Sequence, residues 1–245
     1  RNASGKLERA TLRRLATDAV IWHAQLAAMP PPIHAVVSDV HARQTTLQEM
    51  AATLLAEHPG ELILCGASLG GKLAMEAVRQ APQRIKGLAL LGTNARPETE
   101  AMRSLREAAI DMFAQGRVKT LLTVNLPNAF HPSRVQDSVL LQTYLDVVLR
   151  AGAEQLIRQN RALMERPDAR LHLGEVKCPT LVLCGDSDRL TPPDCSREIA
   201  ELIPGAQLVL IPECGHMLTM ERPQEVNAAL LAWLAVVAPA PPQIA

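Results

Sequence analysis

The chain has 245 residues, room for one large α/β domain with an insertion, and its 25 basic and 25 acidic side chains cancel. That balance gives no global field to draw in nucleic acid or an anionic membrane. Two Trp, two Phe and one Tyr are too few for a platform that stacks single-stranded bases. No apolar run approaches the roughly 18 residues that cross a bilayer, and the polar, basic N-terminus has no apolar signal core behind it, so a cytoplasmic location is expected. The chain begins at Arg1 rather than Met, as a piece of a longer product would.

From residue 33 onward strand and helix signals alternate. Ile33 to Val40 (IHAVVSDV) is a short β-rich run. In TLQEMAATLLAEH, Leu47, Met50, Leu54 and Leu55 recur at helical spacing, with Thr45 or Thr46 as the cap. ELILCGA reads as a buried strand, Leu69 to Gln80 as a helix, and KGLALLGT as another strand. Such βα units predict a mostly parallel sheet covered by helices on both faces.

The alternation stops between Arg96 and Val176, where the spacing predicts only helices, such as EAMRSLREAAIDMFAQG, ending at Gly116, and DSVLLQTYLDVVLRAG. It resumes with CPTLVLCGDSD, the helix CSREIAELIPG, the strand AQLVLIPECGH and a last helix, PQEVNAALLAWLAVV. The sequence therefore divides into a basic N-terminal segment (1–14), a first core part (15–95), a helical cap (96–176), a second core part (177–237) and a Pro/Ala tail (238–245) expected to fray. A helical insertion placed there is expected to cover a site at the carboxyl edge of the sheet.

The five cysteines (Cys65, Cys178, Cys184, Cys195 and Cys214) are odd in number and lack C-x-x-C spacing. They read as reduced packing residues rather than as a disulfide frame or zinc site. No metal or cofactor is expected.

The loop after ELILCGA fits two patterns. Gly66 to Lys72 spell G-x-x-x-x-G-K, the start of a phosphate-binding loop, but Leu73 stands where Ser or Thr should hold Mg²⁺. Gly66 to Gly70 also spell G-x-S-x-G, a serine nucleophile on a sharp turn. A serine hydroxyl is weak until a histidine takes its proton and a carboxylate orients that histidine, in the chain order Ser, Asp or Glu, His. Asp188, in GDSDRLTPP, and His216, after AQLVLIPECG, both follow strands and satisfy that order; Asp186 is the rival carboxylate. Lys72 is expected to reach solvent. His23, His34, His41, His58 and His172 read as surface or packing residues, whereas His131, in the cap, is a candidate to touch substrate. Met217 and Met220 either line the pocket or fill the core.

GASLGGKLAMEAVRQAPQRIKGLALLGT, CPTLVLCGDSDRLTPP and IPECGHMLTMERPQEVNAALLAWL together resemble the α/β-hydrolase superfamily, in particular its small bacterial esterase-like and enol-lactonase-like members with a helical cap. The resemblance runs from about Leu15 to Val237. It implies Ser68 as nucleophile, His216 as general base and then acid, Asp188 as its orienter, and the Leu69 amide as one oxyanion donor. LATDAVIWHAQLAAM resembles the stretch after the family's central early strand, with Asp18 and Trp22 matching. That alignment makes the Leu15 amide the second donor and puts Arg14 where glycine is expected.

The residues before Leu15 do not read as that strand. GKLERATLRR carries Lys6, Glu8, Arg9, Arg13 and Arg14, and burying unpaired charges costs several kcal/mol, roughly, for each. Helix or disorder is expected instead, with Leu7, Thr11 and Leu15 at helical spacing, leaving the first strands missing or replaced. RNASGKLERATLRR also resembles the C-terminal motif of adenylate-forming acyl-CoA synthetases and adenylation domains, where Lys6 would match the lysine that contacts the acyl carboxylate. The sequence then reads as a junction, either a ligase–hydrolase fusion or a misjoined frame.

These readings lead to a serine hydrolase that cleaves a small-molecule carboxylic ester, lactone or thioester through an acyl-enzyme. Two alternatives stand beside it: a thioesterase that unloads acyl groups made by an adjoining ligase, and an impaired, non-catalytic remnant lacking a competent oxyanion hole.

Overall fold

A computed structural model of the chain describes residues 11–15, 19–31 and 33–238. Lys6, Asp18 and the tail from 239 lie outside those residues. Among the described residues six strands form one parallel sheet: β1 (Thr11–Leu15), β2 (His34–Ser38), β3 (Leu62–Ala67), β4 (Ile85–Leu91), β5 (Thr180–Gly185) and β6 (Gln207–Ile211), in the order β2-β1-β3-β4-β5-β6. Strands β2 to β6 lie where the apolar runs predict them.

β1 corrects the sequence reading. Thr11–Leu15 is neither helical nor disordered. It pairs in parallel with both β2 and β3, with Leu12 opposite Ala35 and Ile63 and Leu15 opposite Ser38 and Gly66. Without it, β2 and β3 would face each other across a gap with two rows of main-chain N–H and C=O groups unmatched, each costly to bury. That non-local demand outweighs a locally unsuitable composition.

The central strands distribute their side chains with period two. After the short helices α1 (His23–Ala27) and α2 (Val40–Arg43) come the helices that cover the sheet. Leu64 of β3, Leu88 and Leu90 of β4 and Val182 of β5 enter one core, with helices α3 (Leu47–Glu57), α4 (Leu69–Gln80) and α9 (Pro193–Leu202). Ile63 and Cys65 of β3, Ala89 and Leu91 of β4 and Leu181 and Leu183 of β5 enter the opposite core, with Trp22 and with Leu230, Trp233 and Leu234 of α11 (Pro223–Val237). Both faces are dry, which explains why these strands read as continuous apolar runs. Truncating fully buried Leu64 to Ala would cost about 2–5 kcal/mol. α3 begins at Thr46, whose Oγ1 accepts from the Glu49 amide (3.1 Å) while Glu49 Oε2 accepts from the Thr46 amide (3.1 Å), so Thr46 rather than Thr45 is the cap.

Between β4 and β5 the chain forms α5 (Glu100–Ala114), α6 (Val118–Ala129), α7 (Ser138–Met164, broken at Gly152, φ 77°) and α8 (Arg170–Leu173). Leu126, Ala129, Phe130 and Leu145 give this region its own small core, with Phe130 and Tyr144 edge to face at 5.3 Å. At the root of the cap, buried Glu98 accepts from Arg106 and, at 2.7 Å, from Arg166 Nη1, joining the chain's exit from β4 to its return after α7. Among the described residues no helix is long and apolar enough to cross a membrane.

Candidate active site

The turn from β3 into α4 is built around a strained serine. Ser68 has φ 52° and ψ −111°, one of two non-glycine residues with positive φ among those described. Such a backbone costs of order 1–3 kcal/mol and persists only where its surroundings hold it. The surroundings here are specific. The Ser68 amide donates to the Leu91 carbonyl at the end of β4 (2.9 Å), and the Ser68 carbonyl accepts from Thr93 Oγ1 (2.8 Å). A Cβ on Gly66 would overlap the Gly70 carbonyl, so the turn closes only with glycine there. Leu69 is the first residue of the 12-residue α4, so its amide lies at the positive end of that helix.

Asp188 and His216 come from the loops after β5 and β6. Asp188 Oδ2 accepts from His216 Nδ1 at 2.8 Å, and both groups are buried, 2% and 9% exposed. Three further donors hold the carboxylate: the Leu190 amide (2.8 Å) and Thr191 amide (2.9 Å) on Oδ1, and Thr191 Oγ1 (2.8 Å) on Oδ2. Burial pushes the Asp188 carboxyl up, but His216 and the Thr191 bonds outweigh it and hold it below its ordinary range. Asp186 has a different task. It accepts from Ser187 Oγ (2.9 Å) and from the Glu213 (3.1 Å) and Cys214 (3.3 Å) amides, tying the β5 loop to the loop that carries His216.

Gly92 sits between serine and pair. It follows Leu91, the acceptor of the Ser68 amide, and a Cβ on it would lie 3.3 Å from Asp188 Oδ2 and 3.4 Å from His216 Nδ1. The ends of β3, β4, β5 and β6 thus bring Ser68, Asp188 and His216 to one edge. Leu15 ends β1 opposite Gly66, two residues before Ser68, at that same edge. An open pocket of about 310 Å³ lies between the cap and the segment after His216, bounded by Ile21, His23, Leu140, Thr143, Met220 and Pro223.

Other sequence candidates fall into place around this edge. His131 spends Nδ1 on its own turn, accepting from the Ser133 amide (3.1 Å). Met217 packs against both the core that holds Trp22 and Trp233 and the small core of the cap, and Met220 lines the pocket. His41 is buried, and His172 Nε2 lies 3.2 Å from the Met75 carbonyl; burial lowers both of their pKa values. Cys65, Cys184 and Cys214 are buried, and burial drives the Cys184 thiol up to about 12, the behaviour of a packing residue. Lys72 corrects the sequence reading: it is 7% exposed rather than at the surface, with Nζ 3.4 Å from Thr93 Oγ1. Thr191 and Glu221 escaped that reading, because neither belongs to a spacing that marks chemistry.

Fold and site together define an α/β-hydrolase. The sequence profile of the family Serine aminopeptidase, S33, matches residues 28–223, and the chain belongs to that family. It is 29% identical over 199 residues to the pimeloyl-[acyl-carrier protein] methyl ester esterase of Aromatoleum aromaticum, covering 75% of this chain and 78% of that protein. The structure is similar to that of a thermophilic esterase from Thermogutta terrifontis, with a TM-score of 0.84, 26% identity, and 94% of this chain and 90% of that one covered. The enol-lactonase of Burkholderia xenovorans shares the fold, with a TM-score of 0.84, 21% identity, and coverage of 94% and 92%.

Proposed function

We propose that the protein is a serine hydrolase that cleaves a small carboxylic ester, lactone or thioester through an acyl-enzyme. The observation that carries this reading is the buried Asp188–His216 pair at the strand edge where strained Ser68 sits. Asp188 fixes the Nδ1–H tautomer of His216, which leaves Nε2 as the base that takes the Ser68 proton. Ser68 Oγ attacks the acyl carbon, and the amides of Leu69 and Leu15 receive the developing oxyanion. His216 then protonates the leaving alcohol or thiol, and afterwards activates the water that releases the acid.

An ester substrate accords with the names of the esterase relatives. The presence of β1 removes one ground for the remnant reading, since the strand before Leu15 exists. A serine-directed fluorophosphonate should label Ser68, and Ser68→Ala should lower the turnover of a p-nitrophenyl ester by on the order of 10⁶-fold. An unchanged rate in Ser68→Ala would falsify the assignment.

A further inference from the structure

Glu221 is the last residue of the short helix α10 (Leu218–Glu221), five positions after His216. Its side chain turns back into the protein, and the residue is only 4% exposed. Three main-chain amides converge on its carboxylate from two parts of the chain. Oε1 accepts from Gly215 (3.1 Å) and Met217 (3.2 Å), the two neighbours of His216, and Oε2 accepts from His131 in the cap (2.8 Å). Burial pushes this carboxyl above its ordinary range against the opposing pull of the three amides, so ordering it here is costly.

The same seam is closed by contacts that leave no slack. The Ala129 carbonyl, at the end of α6 in the cap, accepts from the amides of both His216 (2.9 Å) and Met217 (3.2 Å). A Cβ on Gly215 would lie 2.6 Å from the His131 nitrogen, 2.7 Å from the Phe130 carbonyl carbon and 2.9 Å from Glu221 Oε1. The segment 129–131 and the loop 215–217 are therefore fastened amide by amide on either side of the imidazole. Asp188 holds the ring; Glu221 and the Ala129 carbonyl hold the backbone that carries it.

We propose that Glu221 is a positioning residue for His216, which uses both carboxylate oxygens to lock the histidine loop to the cap so that the site is set only when the cap is seated. This rests on the serine-hydrolase reading for its effect on catalysis, but the lock itself is a property of the fold. Glutamine cannot replace it. A side-chain amide accepts at one terminal atom and donates at the other, so one of the two segments must lose its acceptor and meet an N–H instead. The alternative view, that Glu221 only adds stability, predicts lost folding free energy with a normal site in whatever protein remains folded.

The test compares wild type, Glu221→Gln and Gly215→Ala, the last of which wedges the seam apart while keeping glutamate at position 221. In folded Glu221→Gln, amide hydrogen exchange in segments 129–133 and 213–217 should rise together by about tenfold or more. The kcat on a p-nitrophenyl ester should fall on the order of 10- to 100-fold, the effect of a misplaced base, with KM changed much less. Gly215→Ala should reproduce both changes, and it stands in if Glu221→Gln does not fold. Unchanged exchange in either segment, or a loss confined to KM, overturns the proposal. Failure of the wild type to react with a fluorophosphonate would instead sink the serine-hydrolase reading, and the exchange data would still decide the lock.

Discussion

Two buried ionisable groups flank the Ser68 turn, and they are treated in opposite ways. On one side Asp188 receives four hydrogen bonds, from His216, Thr191 twice and Leu190. On the other, Lys72 has a 3.4 Å contact to Thr93 Oγ1 and borders a cavity of about 10 Å³, room for no more than one water. Both pKa values fall, with opposite meaning. In Asp188 partners outweigh burial and favour the charge. In Lys72 burial, followed by the nearby cations of Arg166 and Arg106, disfavours the charge and brings the value to about 7. Burial alone therefore does not mark a functional group; converging partners do.

The contrast breaks most visibly at Asp188. Asp188→Asn should lower kcat/KM by about 10⁴-fold, because an amide can face His216 with its N–H and favour the wrong tautomer. Steady-state kinetics on a p-nitrophenyl ester measures this, and a loss under tenfold would remove Asp188 from the proposed triad.

Thr191→Val is the next step down. It deletes one donor to Oδ2 and leaves the His216 bond in place. A hydrogen bond to a charged group is worth about 1.5–3 kcal/mol, so activity should fall on the order of tenfold. The Asp188 carboxyl should also move up toward its ordinary range, which a titration of the variant would read.

Lys72→Met should change activity least, within about threefold, and should act on stability instead. The folded-state value near 7 lies below the ordinary 10.5, so the unfolded chain binds the extra proton between those limits. The cost of burying the ammonium is thus fully present below pH 7 and relieved as pH rises toward 10.5. At about 1.4 kcal/mol per pKa unit, the Met variant should unfold at higher urea below pH 7, by a few kcal/mol at about pH 6, and lose that advantage by pH 10. An equal gain at both pH values would show that Lys72 is charged throughout.

The relation between sequence and structure differs between these groups for a physical reason. Strands β3, β4 and β5 are legible because both faces of the sheet are dry there, so each is an apolar run. Thr46 and Glu49 announce a helix start through bonds only three residues apart. Ser68, Asp188 and His216 can be read because each follows a recognisable strand, and chain order brings strand ends to one edge. Lys72 could not be placed from its neighbours. α4 is covered on more than one side, by the sheet and by α3 among others, so Gly70 to Val78 are all buried and no polar face remains to signal exposure.

The sequence by itself determined the parallel α/β architecture, the helical insertion and the three candidate residues of the site, because local periodicity and motif order carry that information. Tertiary structure alone decided the rest. It made Thr11–Leu15 a strand because β2 and β3 needed a partner between them. It buried Lys72, chose Asp188 over Asp186 by giving His216 to one and loop amides to the other, and turned Glu221 onto the amide of His131, 90 residues away in the chain. Each of these outcomes depends on groups distant in the chain meeting in a dry interior, where an unmatched donor, acceptor or charge costs more than a local preference can repay.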